Sequence, residues 1–424
     1  MTGSRCGPRF CRRRGESACY RARAPAPEGV CVTSRRAARD GTVRVAVVGT
    51  GAIARGSHLP ALAALAAEQP LEVVAAVDID AAAASAFCAE GGIPHPYTDL
   101  DRMLDEQHPD LVTICTPPRF HRDQTVAALR AGAWVWCEKP PCPSLADFDA
   151  IEAAEGAETD GGPYASIVFQ HRFGSGARHI QGLLAEGALG RVLVAHCQTT
   201  WYRDTAYYAV PWRGRWDSEG GGPAMGHGIH QMDLLLDLLG PWAEISAMAG
   251  RLVHDIETED VSTALVRFES GALATVVNSV LSPHEVSRIR LDCERATVEL
   301  THLYGYRNAD WRITPAPGVP AEEAHRWREF GADEPSSHLA QLRGLLADLR
   351  AGRRPRSSGA DGRTSLELIA ALYKSAFTGA TVRAGEIGPG DPYYTALHGD
   401  APGWAPGARP RPGTIPTPRQ AAAR

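Results

Sequence analysis

Short apolar runs alternate with amphipathic stretches through the first third of the chain. The runs are rich in Val, Ile and Ala and have no polar face, which is typical of strands buried on both sides of a parallel sheet. The stretches between them favour helices, and this alternation predicts βαβ units. The predicted strands are 42–48, 71–77, 110–115 and 133–137. The first predicted helix ends near residue 67, and the next three cover 81–90, 100–107 and 121–130.

The pattern changes after residue 163. A further buried strand is predicted at 164–169, and later apolar runs are longer and follow one another through short turns such as Ser270-Gly271. This order is typical of an antiparallel sheet. The predicted strands are 261–269, 272–281, 287–293 and 296–300, and helices return at 337–350 and 364–377.

The pattern divides the chain into four parts. Residues 1–40 lack periodicity and are predicted to form a disordered extension, and residues 400–424 are rich in Pro, Gly and Arg and are predicted to form a disordered tail. Between them we expect a first domain at 41–163 and a second at 164–385, whose last helices can pack back on the first.

Charge and hydropathy exclude some partners. The net charge is -5, and the first 40 residues hold ten Arg against three acids, so the rest of the chain is acidic. An acidic body argues against nucleic acid as the main partner. No apolar run approaches the roughly 18 residues that a membrane span needs, and the Arg-rich start has no apolar signal segment. We therefore expect a cytoplasmic protein with a small-molecule partner.

A glycine-rich turn follows the first predicted strand. The run from Gly49 to Ala54 reads G-x-G-x-x-A between a strand and a helix, the context in which glycines allow a dinucleotide diphosphate to approach the backbone. Asp78 ends the second strand, where a carboxylate accepts a hydrogen bond from a ribose hydroxyl. Ile79 follows it in place of a cation, which favours NAD, while Arg55 near the turn keeps NADP possible.

Polar residues follow two later strands at the same predicted edge. Thr116 and Pro117 come after one strand, with His121 close behind, and Glu138 and Lys139 come after the next, before a proline. Ligands of open parallel sheets bind beyond the carboxyl ends of the strands. We therefore expect these residues to line a ligand site.

A third cluster follows three consecutive glycines at 220–222. On a helix, His227, His230 and Asp233 lie on one face. An imidazole near neutral pKa is suited to accept a hydroxyl proton. The spacing also fits zinc, but the neighbouring sequence offers no further ligand, so no metal is predicted.

The segment before this cluster carries aromatic and Arg residues, which offer stacking faces and directional donors for a hydroxyl-rich ligand. Together with Asp233, the candidate substrate residues are Arg172, Tyr208, Trp212 and Arg213.

These motifs together resemble the glucose–fructose oxidoreductase, inositol dehydrogenase and rhizopine-catabolism (Gfo/Idh/MocA) family over residues 42–385. The resemblance implies an α/β protein with an N-terminal Rossmann domain and a C-terminal α/β domain that has a large, open, mostly antiparallel sheet. That sheet commonly serves oligomerisation, so a homodimer or homotetramer is expected. The motifs are 49–54, Thr116-Pro117 with His121, 137–140, 169–173, and 220–230 with Asp233.

The resemblance also implies roles. Lys139 and His230 would be catalytic. Relatives commonly carry an Asp where this chain has Gly226, so His227, the next residue, would supply a polar group in its place. Cofactor contacts would come from Gly49, Gly51, Ala52, Ile53, Asp78, Thr116, Pro117, His121 and Glu138.

The sequence thus predicts an oxidoreductase that moves a hydride between NAD(P) and a CH–OH or ketone of a sugar, inositol or nucleotide sugar. Two alternatives remain. One is an NAD-dependent glycosidase of the same fold, and the other is a non-catalytic NAD-binding regulator, which the missing acid at Gly226 favours.

Overall fold

The computed structural model describes residues 41–302 and 304–408. The predicted disordered extension at 1–40 and most of the predicted tail, 409–424, lie outside the described residues.

The first half of the chain forms a six-stranded parallel sheet in the order β3-β2-β1-β4-β5-β6. Its central strands are buried on both faces, as their continuous apolar runs predict. The strands are β1 Val43–Val48, β2 Leu71–Val77, β3 His95–Tyr97, β4 Leu111–Ile114, β5 Trp134–Cys137 and β6 Ala165–Ile167. The helices are α1 Leu59–Glu68, α2 Ala81–Gly91, α3 Leu100–Gln107, α4 His121–Arg130 and α5 Leu145–Ala154.

The boundary between the two halves lies later than expected. β6 falls in the segment that the sequence assigns to the second domain, yet it pairs in parallel with β5 and completes the first sheet. A short buried strand has the same composition in either sheet, and only its pairing partner decides where it belongs.

The second half forms an eight-stranded sheet in the order β13-β12-β11-β7-β10-β9-β8-β14. All neighbouring strands are antiparallel except β7 and β10, so the sheet is mostly antiparallel as predicted. The strands are β7 Val192–Tyr202, β8 Trp242–Gly250, β9 Val261–Phe268, β10 Leu273–Ser279, β11 Leu281–Cys293, β12 Ala296–Leu300, β13 Trp311–Pro315 and β14 Val382–Arg383.

Helices cover one face of this sheet and connect the two halves. The helices are α6 Ser175–Ala185, α7 Thr205–Tyr208, α8 Ile229–Leu239, α9 Ala321–Arg326, α10 His338–Ala351, α11 Gly359–Thr378 and α12 Pro392–Thr395. α8 and α11 pack on the sheet, α10 packs against α1, and α11 also contacts α5. The late helices therefore pack back on the first domain. Among the described helices, none has the length and apolar character required to cross a bilayer.

The beginning of the predicted tail is ordered. Trp404 is 2% exposed and stacks on Phe377, with ring centroids 4.3 Å apart. The Arg251 guanidinium lies over the Trp404 ring, 4.3 Å from its centroid. The carbonyl of Ala408 accepts a hydrogen bond from Arg251 at 2.7 Å. The composition of this segment predicts disorder, but one buried indole holds residues 401–408 on the core.

Candidate active site

A cavity of about 550 Å³ lies at the carboxyl edge of the parallel sheet. Its wall combines the glycine turn, the end of β5, the start of α8 and the start of α10. Its lining includes Ile53, Glu138, Lys139, His230, Tyr304 and His338. The two halves of the chain therefore both contribute to one site.

The glycine turn has the shape of a diphosphate cradle. Gly49 has φ +86°, and a Cβ there would lie 2.9 Å from the Thr116 backbone nitrogen, so the tight turn requires glycine. A Cβ at Gly51 would meet nothing within 4 Å, which leaves its backbone open to a ligand. Ala52 is exposed and Ile53 is 38% exposed beside it, while Ala54 is buried. These residues fit a bound dinucleotide.

Asp78 is tied to this turn. Its Oδ2 accepts hydrogen bonds from the backbone nitrogen of Thr50 at 2.9 Å and from the Thr50 hydroxyl at 2.8 Å. Partial burial opposes ionisation, but these bonds lower the pKa of Asp78 below its usual value. The Arg55 guanidinium pairs with Glu90 at 3.0 Å, so it is already engaged. An ionised Asp78 without a free cation beside it favours a ribose hydroxyl over a 2′-phosphate.

The two glycines separate cofactor binding from folding. Gly51→Ala is expected to weaken NAD binding by about ten-fold or more, because the methyl group enters the space that the diphosphate needs, and to leave the Tm unchanged. Gly49→Ala is the matched control and is expected to lower the Tm. Titration calorimetry and thermal unfolding measure both effects, and an unchanged NAD affinity in Gly51→Ala would contradict the diphosphate cradle.

The loop after β4 is partly open. Pro117 is exposed and Thr116 is half-buried, so both remain available to a ligand. His121 is fully buried, and its ring nitrogens lie 2.8 Å from the Pro140 carbonyl oxygen and 2.6 Å from that of Thr116. His121 thus joins the two strand-end loops, which corrects the expectation that it contacts the cofactor directly.

Glu138 is held by two histidines that the sequence analysis did not single out. Its Oε1 accepts hydrogen bonds from the Nε2 atoms of His58 at 2.9 Å and His338 at 3.0 Å, and its Oε2 accepts the Lys139 backbone N–H at 3.2 Å. Burial opposes ionisation, but the bonds from His338 and His58 hold the pKa of Glu138 well below its usual range.

Lys139 and His230 face the same cavity. The Lys139 Nζ donates a hydrogen bond to the carbonyl of Gly226 at 3.1 Å. His230 is 1% exposed, and neither of its ring nitrogens has a hydrogen-bond partner among the described residues. Burial, followed by the ammonium of Lys139 and the ring of His171, holds the pKa of His230 well below its usual range. The His230 imidazole is therefore neutral at physiological pH.

Aromatic rings fix the orientation of His230. His171 stacks on it with ring centroids 4.9 Å apart, and Tyr304 meets it edge-on at 5.3 Å. Neither residue was singled out from the sequence, although His171 lies inside the motif 169–173. Burial lowers the pKa of His171 to about 3.

His227 lies three residues before His230, in the short helical turn Ala224–Gly228 that precedes α8. Its ring contacts Trp201 at 5.0 Å and Tyr207 at 6.2 Å between centroids. A Cβ at Gly226 would meet nothing within 4 Å, so the position that carries an acid in resembled proteins is open space here.

The candidate substrate residues divide into two groups. Trp212 is 38% exposed, and the Arg213 guanidinium lies over it at 4.3 Å from the ring centroid and over Tyr207 at 3.9 Å, next to His227. Tyr208 instead packs on His254, with ring centroids 4.7 Å apart.

Arg172 and Asp233 do not reach the cavity. Arg172 is 2% exposed and donates to both Asp233 oxygens at 2.6 and 2.7 Å, and it also binds Asp361 at 2.7 Å. The expectation that Arg172 and Asp233 contact the substrate is corrected, because the two side chains form a buried ion pair with each other. Helical spacing in the sequence places Asp233 near His230, but it does not reveal that the Asp233 side chain binds the buried Arg172.

The fold and site define a class of protein, namely an enzyme with a dinucleotide-binding domain and with a Lys and a His that line one cavity. Residues 43–160 match the profile of the oxidoreductase family with an NAD-binding Rossmann fold, and residues 177–299 match the GFO/IDH/MocA C-terminal domain. The chain therefore belongs to the Gfo/Idh/MocA family of oxidoreductases, and its first domain is of the NAD-binding type, as predicted.

Individual relatives span most of the chain. The D-glucoside 3-dehydrogenase of Escherichia coli (strain K12) is 27% identical over 80% of this chain and 97% of that protein. The myo-inositol 2-dehydrogenase of Thermotoga maritima is 27% identical over 70% of this chain and 86% of that protein. The crystal structure of the WlbA dehydrogenase from Bordetella pertussis in complex with NADH and UDP-GlcNAcA has a TM-score of 0.69 at 25% identity, and the similarity covers 81% of this chain and 98% of that one.

Proposed function

We propose that the protein oxidises or reduces one ring carbon of a sugar, inositol or nucleotide sugar with NAD as the redox partner. The observation that carries this proposal is the pairing of Lys139 with a buried His230, whose ring nitrogens lack partners among the described residues, in the cavity beyond the glycine turn. A buried imidazole left unpaired is costly unless a ligand completes it.

The two side chains divide the chemistry. His230 accepts the substrate hydroxyl proton during oxidation, because its lowered pKa keeps it neutral. The ammonium of Lys139 donates a hydrogen bond to the same substrate oxygen and stabilises its developing negative charge. NAD, when bound, supplies the carbon that accepts the hydride.

Gly226 changes the surroundings of this pair. Its carbonyl orients the Lys139 ammonium directly, at 3.1 Å, so no acidic side chain is needed for that task. His227 directly follows Gly226, and burial together with the Lys139 ammonium holds its pKa well below its usual range, so it supplies a neutral polar ring beside this position.

The side chains next to His227 support a hydroxyl-rich substrate. Tyr207, Arg213 and Trp212 form one stacked group there, which suits the apolar face and the hydroxyl edge of a sugar ring. The named relatives act on a glucoside and on an inositol, which supports the same class.

Absorbance of the reduced cofactor tests the proposal with a panel of inositols, aldoses, glycosides and nucleotide sugars. At least one substrate is expected to reduce NAD, and His230→Asn is expected to lower that rate by about 10²- to 10⁴-fold. His325→Asn is the matched control, because its side chain is 77% exposed on α9.

The same assay separates the alternatives. Tight NAD binding without turnover on any panel member would favour the regulator, for which Gly226 is the supporting observation. Release of an aglycone without net reduction of NAD would favour the glycosidase.

The outer face of the eight-stranded sheet supports the homodimer or homotetramer proposed from the sequence. Met248, Leu265 and Leu273 are 77%, 64% and 49% exposed on β8, β9 and β10. Exposed apolar side chains on adjacent strands are typical of a protein interface. The cytoplasmic location stays a prediction.

A further inference from the structure

Three side chains from distant parts of the chain meet at Glu138. His58 closes the turn that follows the glycine motif, Glu138 follows β5, and His338 is the first residue of α10, 200 residues beyond Glu138. Their side chains are 0%, 7% and 14% exposed. Glu138 and His338 also line the cavity that holds Lys139 and His230.

Hydrogen bonding accounts for the geometry of this cluster. Each imidazole points its Nε2 at the same carboxylate oxygen, and one N–H from each ring satisfies it. Burial lowers the pKa of His58 despite the neighbouring Glu138, which keeps that ring neutral. Glu138 is ionised because its pKa is held low, so its carboxylate brings one negative charge to the cavity wall.

One ring nitrogen each of His58 and His338 and one carboxylate oxygen of Glu138 lie within 4.8 Å of one another, a spacing that a metal ion also accepts. A divalent ion there would add two positive charges to a cavity that already contains the Lys139 ammonium. Both donors already lie at ordinary hydrogen-bond distance from Oε1, so the carboxylate needs no metal to be satisfied. The geometry therefore favours a metal-free cluster.

The charge of this cluster bears on the cofactor. The oxidised nicotinamide ring is a cation and the reduced ring is neutral, and hydride transfer near Lys139 and His230 brings that ring into the cavity. A fixed carboxylate in the cavity wall stabilises the cation and does little for the neutral ring.

We propose that His338, together with His58, holds Glu138 as a fixed negative charge that makes the site favour oxidised over reduced cofactor. His338 is then a positioning residue, since it acts through Glu138. This inference rests on the proposed function, because it requires the reactive ring to enter this cavity.

Equilibrium binding of NAD⁺ and NADH tests the inference on the full chain. His338→Phe keeps an aromatic ring but has no N–H donor, and it is expected to weaken NAD⁺ binding by about ten-fold while NADH binding changes by less than about two-fold. His338→Gln retains an amide donor and is expected to restore most of the NAD⁺ affinity. Glu138→Gln removes the charge and is expected to reproduce the selective loss.

The outcomes distinguish the inference from its basis. Equal loss of both cofactors in a folded His338→Phe, or no loss, would overturn the fixed-charge role, and so would stoichiometric zinc in the purified wild type that His338→Phe lacks. If His338→Phe does not fold, His338→Leu repeats the comparison with a smaller side chain. The ratio of the NAD⁺ and NADH dissociation constants in His338→Gln and Glu138→Gln then decides whether the charge of Glu138 favours the oxidised cofactor. Failure of the wild type to bind either cofactor would instead refute the proposed function.

Discussion

Lys139→Met is expected to lower kcat/KM by about 10²- to 10³-fold while leaving the dissociation constant for NADH, whose nicotinamide ring is neutral, within about two-fold. Methionine fills similar volume but has no donor for the substrate oxygen and no positive charge. The glycine turn and Asp78 remain intact, because the only hydrogen bond from Lys139 Nζ that the described residues show goes to the Gly226 carbonyl. Steady-state kinetics and NADH fluorescence titration measure the two quantities.

The same variant is expected to move the acid limb of the pH–rate profile. Burial and then the Lys139 ammonium lower the pKa of His230 in the wild type, where Glu138, His171 and His338 also face the ring. Loss of the ammonium raises the pKa of His230, so the base becomes protonated at a higher pH and the acid limb shifts upward.

Lys139→Arg is the control for this shift, because it retains the charge with a different shape. It is expected to lose rate and to keep the wild-type acid limb. A Lys139→Met enzyme with full kcat/KM would show that another group stabilises the substrate oxygen.

The cofactor half of the fold was predictable because its signals are local. The run 49–54 contains its own turn, and each apolar run beside it is short and bounded by helix-forming residues. β1, β2, β4 and β5 accordingly lie where the sequence predicts them. The β9–β10 hairpin was also predictable, since its turn, Ser270-Gly271, joins strands that pair with each other.

β7 and β8 were not predicted, and for β7 the reason is its pairing. β7 pairs in parallel with β10 and antiparallel with β11, both far along the chain, so no local turn marks it as a strand. The position of β7 in the sheet depends on these distant contacts, which periodicity alone does not reveal.

The candidate site shows the same division. Lys139 and His230 were predictable because they stand in short motifs, and the structure brings both to one cavity. His58 and His338 were missed because each is a single histidine with no motif around it, and only the folded chain brings them to Glu138. The glycine motif could have drawn attention to His58, which follows it within one turn of helix.

Arg172→Met is expected to lower the free energy of unfolding by about 3–5 kcal/mol, because it leaves Asp233 buried without its cation. Arg172 and Asp233 side chains are 2% and 0% exposed in the wild type. Denaturant unfolding at fixed pH measures the change. Replacing both residues, with Arg172→Met and Asp233→Leu in one chain, is the control and is expected to recover a large part of the loss, since no uncompensated charge then remains at the Asp233 position.

The loss is also expected to depend on pH. Burial raises the pKa of Asp233 to about 6 even with Arg172 present, so the folded state holds this proton more tightly than the unfolded state does. Stability from this group is therefore present at low pH and lost as the pH rises through 6. Without Arg172 the pKa of Asp233 rises further, because a cation that lowers it is gone. The destabilisation of Arg172→Met should thus be larger at pH 8 than at pH 5.5, and equal losses at both values would mean that Asp233 is not the buried charge responsible.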